Sequence, residues 1–113
     1  MAIRERQAGS VTVLELSGRV TMGPVIQEID EKLQSLIADG HLALLVDCGQ
    51  VDKIDSQGNQ ALVRGFISVR KRGGKLKLLN LPPRIREVLQ ITRLLPIIES
   101  FENEDLALRS FTS

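Results

Sequence analysis

Hydrophobic positions along the chain change period several times, and each change marks an element. From Ile3 to Gln7 and from Val11 to Leu16 the pattern is extended, and Ala8-Gly9-Ser10 between them predicts a hairpin turn joining two strands. In the second strand Val11 and Val13 fall on one face and Leu14 and Leu16 on the other, so both faces are expected to be covered in part. From Pro24 the period becomes helical. Val25, Ile29, Leu33, Leu36 and Ile37 recur at helical spacing with Glu28, Asp30, Glu31 and Lys32 between them. Pro24 suits the first turn, and Asp39-Gly40 ends the helix.

The run Leu42-Ala43-Leu44-Leu45-Val46 is apolar throughout, as in a central parallel strand covered on both sides. A polar loop is expected after it, reaching Asp55-Ser56, and a helix from about Gln57. That helix turns Leu62, Val63, Phe66 and Val69 inward and stops at Gly73-Gly74. Lys75 to Leu79 reads as another strand. Pro82-Pro83 opens a helix to about Thr92 with Ile85, Val88 and Leu89 inward, and Pro96 to Ser100 reads as a short extended piece. Glu102-Asn103-Glu104-Asp105 places acid at the start of a last helix, where it suits the dipole. The core is expected to hold Ile29, Leu33, Leu44, Val46, Leu62, Phe66 and Leu78. Strands alternating with amphipathic helices predict an α/β fold: a mainly parallel or mixed sheet of four to five strands, about four helices and right-handed crossovers.

Composition narrows the function more than the fold. At 113 residues the expectation is one domain over 1–113, and with aromatics at 3% its core is left to Leu, Ile and Val. Trp and Tyr are absent, which removes the usual stacking platforms for single-stranded nucleic acid. A net charge of +1 gives no long-range attraction to nucleic acid or to an acidic membrane surface. No apolar run approaches the ~18 residues of a membrane span. No nucleic-acid partner and no membrane insertion are therefore expected. Lone Cys48 at the end of a buried strand reads as a small core residue in a reducing, cytoplasmic setting.

A search for catalytic chemistry finds little. The single histidine, His41, lies in the turn before the central strand, and Ser56 has no evident base partner. Cys48 and His41 alone make no four-ligand zinc site. Asp47, Asp52 and Asp55 crowd one loop, where they either hold Mg²⁺ or cap the loop and stay solvated. Gly73-Gly74-Lys75 follows a helix and precedes a strand, the reverse of a phosphate-binding loop, so it reads as helix termination. The basic run Arg70, Lys71, Arg72, Lys75 and Lys77 suits a helix C-terminus and a strand face. No catalytic residue, metal or cofactor is expected. What remains is Ser56, a hydroxyl at a helix N-terminus, where unpaired N–H groups and the dipole favour negative charge. It reads either as an N-cap or as a phosphate acceptor.

Five stretches carry a resemblance that weighs on that choice. Val46-Asp47-Cys48 followed by Ile54-Asp55-Ser56-x-Gly58 is similar to the signature of STAS domains, the anti-sigma-factor antagonists of bacteria. Leu16-Ser17-Gly18-Arg19-Val20 resembles the family's strand-ending motif. Arg70-x-Arg72-Gly73-Gly74-x-Leu76 and Leu78-x-Asn80-Leu81-x-Pro83 resemble its helix-end and strand-to-helix motifs. The resemblance implies a switch protein whose Ser56 is phosphorylated by an anti-sigma factor that is itself a serine kinase and carries the ATP or ADP. Unphosphorylated, it would bind that kinase and release a sigma factor. Contacts are then expected from Asp55, Gln57, Gly58 and Asn59, with Thr21, Met22 and Gly23 on the same edge because parallel strands gather their C-terminal loops. Gly58, lacking a side chain, is expected to leave the approach clear. The chain departs from the family at Gln57, Asn59 and Gln60, and at Thr21 where an acidic residue is usual. These departures leave a second reading, a non-switching STAS subunit of a signalling scaffold or transporter complex.

Overall fold

A computed structural model describes residues 2–95 and 97–112. The chain begins with an antiparallel hairpin, β1 (Ala2–Ala8) and β2 (Val11–Val20), whose register pairs Ala8 with Val11 across Gly9-Ser10. Three parallel strands extend the sheet from β2: β3 (Ala43–Ile54), β4 (Lys75–Leu79) and the short β5 (Ser100–Phe101). Spatial order equals chain order, β1-β2-β3-β4-β5. The connections are the helices α1 (Pro24–Ala38), α2 (Ser56–Lys71) and α3 (Pro83–Ile91), and α4 (Glu104–Ser110) follows β5.

A sheet that always advances in one direction through crossovers of one hand places every crossover helix on one face. Accordingly Ile29, Leu33 and Leu36 of α1, Leu62 and Val69 of α2, and Ile85 and Leu89 of α3 pack with Leu14, Leu16, Leu44, Val46 and Leu78 in one core. Among the described residues the other face is covered only by α4, over Val11, Val13, Leu45 and Leu79 with Ala107. The division of β2 into a Val11/Val13 face and a Leu14/Leu16 face is as the alternation predicts.

Two boundaries and one core position differ from the sequence reading. First, β3 runs to Ile54, so the expected polar loop is strand. Between the pairs Glu15–Asp47 and Val20–Ile54, β3 takes seven steps against five in β2, with register shifts after Glu15 and after Gly18. These bulges space the buried residues Cys48, Val51 and Ile54 three apart, which hides the two-residue period of a strand. Second, the piece expected over Pro96 to Ser100 is strand only at Ser100–Phe101; Ile97 and Ile98 lie in a turn closed by Ile98 N–H donating to Leu94 O (2.8 Å), and Pro96 is outside the described residues. Third, Phe66 is half-buried, with the Arg70 guanidinium 5.8 Å over its ring, so it borders the core.

Lys77 is the larger surprise. Expected on a strand face as part of a basic run, it is 4% exposed beneath α4. Its Nζ donates to Ser110 O (3.2 Å) and Ser110 Oγ (2.9 Å), lies 3.3 Å from Glu99 Oε1, and faces the rings of Phe111 (4.9 Å) and Phe101 (5.7 Å). A buried ammonium is tolerated only when its donors are met, and here the last helix meets them. Arg6 clamps the start of that helix by pairing with Glu104 and, at 2.9 Å, with Glu15.

Candidate functional site

The site lies at the C-terminal end of the sheet, where β2 and β3 finish and α2 begins. Asp55, not Ser56, caps α2: its backbone is extended (φ −113°, ψ −172°) and its Oδ1 accepts from Gly58 N–H at 2.9 Å. Ser56 is therefore the first helical residue. It is exposed, and no described residue hydrogen-bonds its hydroxyl. Asp and Ser are near-equal caps, so an Asp-Ser pair does not itself say which of the two will serve.

The second oxygen of Asp55 decides the choice. Its Oδ2 accepts the Met22 N–H at 2.8 Å, and Asp55 N–H donates to Val20 O at 3.4 Å. One carboxylate thus ties the β2–α1 loop to the start of α2. The Met22 bond is the main cause holding the Asp55 carboxyl below its ordinary value, with the Gly58 bond adding to it. Thr21, Met22 and Gly23 are brought beside Ser56 in this way, and Met22 stands 79% exposed. Gly23 closes the loop with φ +138°, a left-handed region that favours glycine.

The remaining candidates divide by direction along α2. Gln57 is exposed. Gly58 is buried: a Cβ there would lie 2.2 Å from Val20 O and 2.7 Å from Ile54 Cγ1. Its missing side chain lets α2 begin against the end of β2, and does not clear an outside approach as expected. Asn59 is also buried, at 6% exposure, and with Ser56, Gln60, Val63, Thr92 and Leu94 it lines a groove of about 230 Å³ between α2 and the end of α3. Thr92 and Leu94 had no signal in the sequence, since nothing local relates them to residues some thirty positions earlier.

Other candidates fall elsewhere. Asp47 Oδ1 accepts from Gly49 N–H (2.9 Å) and Asn80 Nδ2 (3.4 Å) on the face opposite α1–α3, whereas Asp55 spends both oxygens on backbone N–H groups. Among the described residues no group of three or more His, Cys, Asp or Glu side chains converges as a metal site. Cys48 is buried and burial pushes its thiol up to about 12, so it is no nucleophile at neutral pH. The His41 Nδ1 lies 3.3 Å from Thr12 Oγ1, remote from Ser56 in the fold. No helix among the described residues is long and apolar enough to cross a membrane.

The chain is similar to known proteins over most of its length. The family model described as the STAS domain matches residues 2–107. BtrV of Bordetella bronchiseptica, named provisionally as an anti-sigma factor antagonist, is 26% identical over 85 residues, 75% of this chain and 73% of its own. An anti-sigma factor antagonist from Mycobacterium paratuberculosis superposes with a TM-score of 0.85 at 20% identity, over 99% of this chain and 94% of the other. The anti-sigma factor antagonist SpoIIAA in its unphosphorylated form gives 0.76 at 19% identity, over 96% of each chain. At such identities the solved structures show a shared fold: a five-stranded mixed sheet with four helices.

Proposed function

Because the chain belongs to the STAS domain family, we propose that it is an anti-sigma factor antagonist switched at Ser56. Its relatives imply an anti-sigma factor as partner; the finer reading is that this partner is a serine kinase carrying ATP or ADP, bound in the cytoplasm by the unphosphorylated form so that a sigma factor is released. SpoIIAA, of the same fold, has been solved phosphorylated as well as unphosphorylated.

The observation that carries the reading is the exposed Ser56 hydroxyl on the first residue of α2. Its oxygen would attack the γ-phosphorus of the partner's ATP, the bond to the β-phosphate oxygen breaks, and the hydroxyl proton passes to a base of the partner. The added group brings about −1.5 to −2 charges. Within this chain the helix N-terminus tolerates that charge. Against a partner surface shaped for a neutral hydroxyl it is costly, and each ~1.4 kcal/mol lost is a tenfold weaker complex. Asp55, Met22 and Gln57 flank the hydroxyl and supply the surrounding contact surface.

The test uses a purified kinase-type anti-sigma factor with ATP, followed by phosphopeptide mapping and calorimetry. Ser56 is expected to carry the phosphate, Ser56→Ala to bind like the unmodified protein, and Ser56→Asp to bind at least tenfold more weakly. Modification of Ser17 with Ser56 clean, or equal binding by Ser56→Asp, overturns the assignment. Binding without any phosphorylation would instead fit a non-switching STAS subunit.

A further inference from the structure

We propose that one stripe of α2, together with the residues that follow α3, is a docking groove for an amphipathic helix of the partner. The bound helix lays apolar side chains along α2, directs acidic residues of its first turn at Arg70 and Lys75, and ends beside Ser56. That the partner is an anti-sigma factor rests on the function proposed above. The form of the occupant follows from the groove itself.

Helical spacing puts Ser56, Gln60, Val63, Ile67 and Arg70 on one stripe of α2. At 1.5 Å per residue the stripe is about 21 Å long. A cavity opens at each end of it. Val63 with Thr92 and Leu94 lines one of about 230 Å³ beside Ser56, and Phe66 and Arg70 with Ile97 line another of about 290 Å³ towards β4. Five large apolar side chains stand exposed among the described residues, and three of them border this surface. Ile67 lies on the stripe, Ile97 in the second cavity, and Ile91 next to Thr92 in the chain. Apolar exposure gathered in one place marks a surface that another molecule covers.

The occupant is a helix because α2 offers an approaching backbone nothing to pair with. The N–H and C=O groups of α2 are satisfied within the helix, so an extended segment laid along it would leave one side of its own backbone unpaired. A helix pairs its backbone internally. It needs only apolar side chains at i, i+4 and i+7 to follow a straight stripe.

Charge and hydrogen bonding set its direction. Arg70 and Lys75 line the second cavity, while Glu99, the acid that lines it with them, lies 3.3 Å from Lys77 Nζ. That end of the groove therefore presents positive charge and calls for acid. Acidic residues suit the first turn of a helix, where they complement its dipole, so the N-terminus of the bound helix lies here. Its C-terminus then lies beside Ser56, where its last carbonyls need donors. The Ser56 hydroxyl, the Gln60 amide and the Asn59 amide nitrogen stand at that end, and Asn59 Oδ1 is sealed away from it. A phosphate on Ser56 would face the negative end of the bound helix and loosen the complex.

The test has two arms. In the first, the isotope-labelled protein is titrated with a helical peptide of roughly fourteen residues, carrying leucines at i, i+4 and i+7 and two glutamates in its first turn. Saturable ¹⁵N–¹H shifts are expected at Val63, Ile67 and Ile97. The same peptide with lysines for glutamates should bind about tenfold more weakly, by a margin that shrinks at high salt. Ser56→Asp should weaken the glutamate peptide. In the second arm a purified kinase-type anti-sigma factor is titrated by calorimetry. Ile67→Ser with Ile97→Ser, and Arg70→Glu with Lys75→Glu, should each weaken it about tenfold while melting like the parent. Leu106→Ser, at an exposed apolar position on α4, should change nothing. Hydrogen exchange should place the newly protected segment of the anti-sigma factor in a helix. Equal binding of the two peptides, shifts confined to other surfaces, or full affinity of both double variants for the anti-sigma factor overturns the groove, even where Ser56 is phosphorylated. A dimer of this chain that Ile67→Ser dissolves gives the groove to a second copy and overturns it as well. Peptide binding as expected, with no binding of the anti-sigma factor, removes the function proposed above and leaves the groove in search of another helix.

Discussion

Polar groups in two regions of this molecule are satisfied in opposite ways. Under α4, Lys77 finds two oxygens of Ser110, the Glu99 carboxylate and two aromatic rings, all within the chain. At the start of α2, the Asp55 cap is likewise complete, yet the Ser56 hydroxyl and the Asn59 Oδ1 beside it meet no donor or acceptor among the described residues. A buried charge with its partners at home holds a fold together. Polar groups without partners in the chain add nothing of that kind to the fold. Conspicuous charge is thus the poorer guide to function here, because the most deeply buried cation belongs to the scaffold.

That contrast can be broken most forcefully at Gly58, where site and scaffold share one residue. Gly58→Ala drives a methyl group to 2.2 Å from the Val20 carbonyl, a backbone atom that cannot swing away. A loss of about 3 kcal/mol is expected, seen as a fall in melting temperature on the order of 10 °C. A variant that melts like the parent would show that α2 can slide, and the close approach would lose its meaning.

Lys77→Ala should be next. It empties the space between Phe101 and Phe111 and removes two hydrogen bonds to Ser110, for about 2 kcal/mol in denaturant melts. Lys77→Met keeps the stem and should recover part of it. Affinity for an anti-sigma factor should be unchanged in both, and a large loss of binding would join the two regions into one surface.

Asp55→Ala should cost about 1 kcal/mol as a lost cap and free the Met22 loop from α2. The pH dependence is more diagnostic. Asp55 and Glu104 both have depressed pKa values, from the Met22 N–H and the Arg6 guanidinium respectively. In the acid range the unfolded chain therefore binds more protons than the folded one. Their stabilisation is complete at neutral pH and is lost as pH falls below about 4 towards the folded values. Melting temperature should drop over that range, and Asp55→Asn should shrink the drop without removing it, since Glu104 remains. An unchanged drop would mean that the cap carries no charge-dependent stability.

Ser56→Asp should have the smallest effect on stability, within about 0.5 kcal/mol and in the stabilising direction, because a carboxylate in the first turn suits the dipole. Calorimetric affinity should fall at least tenfold in the same protein. If affinity falls only in step with melting, Ser56 belongs with Lys77 as a structural group.

Much of this was written locally. Leu42 to Val46 reads as a strand covered on both sides, the Ile29-Leu33-Leu36-Ile37 spacing as a helix face, and Asp55-Ser56 before a helical pattern as a helix start. Patterns of this kind depend on backbone period and on each residue's own preferences, which neighbours in sequence already express. The tertiary structure decided the rest. It let the Met22 N–H choose Asp55 over Ser56 as cap, stretched β3 past its regular period so that it could follow β2, and used Gly58 to seat a helix against a carbonyl. It also buried Lys77 by folding α4 over it and made a groove from α2 and the far end of α3. Each of these depends on a group supplied from another part of the chain. Period and propensity say which face of an element turns inward; what that face meets is settled only when the distant segment arrives.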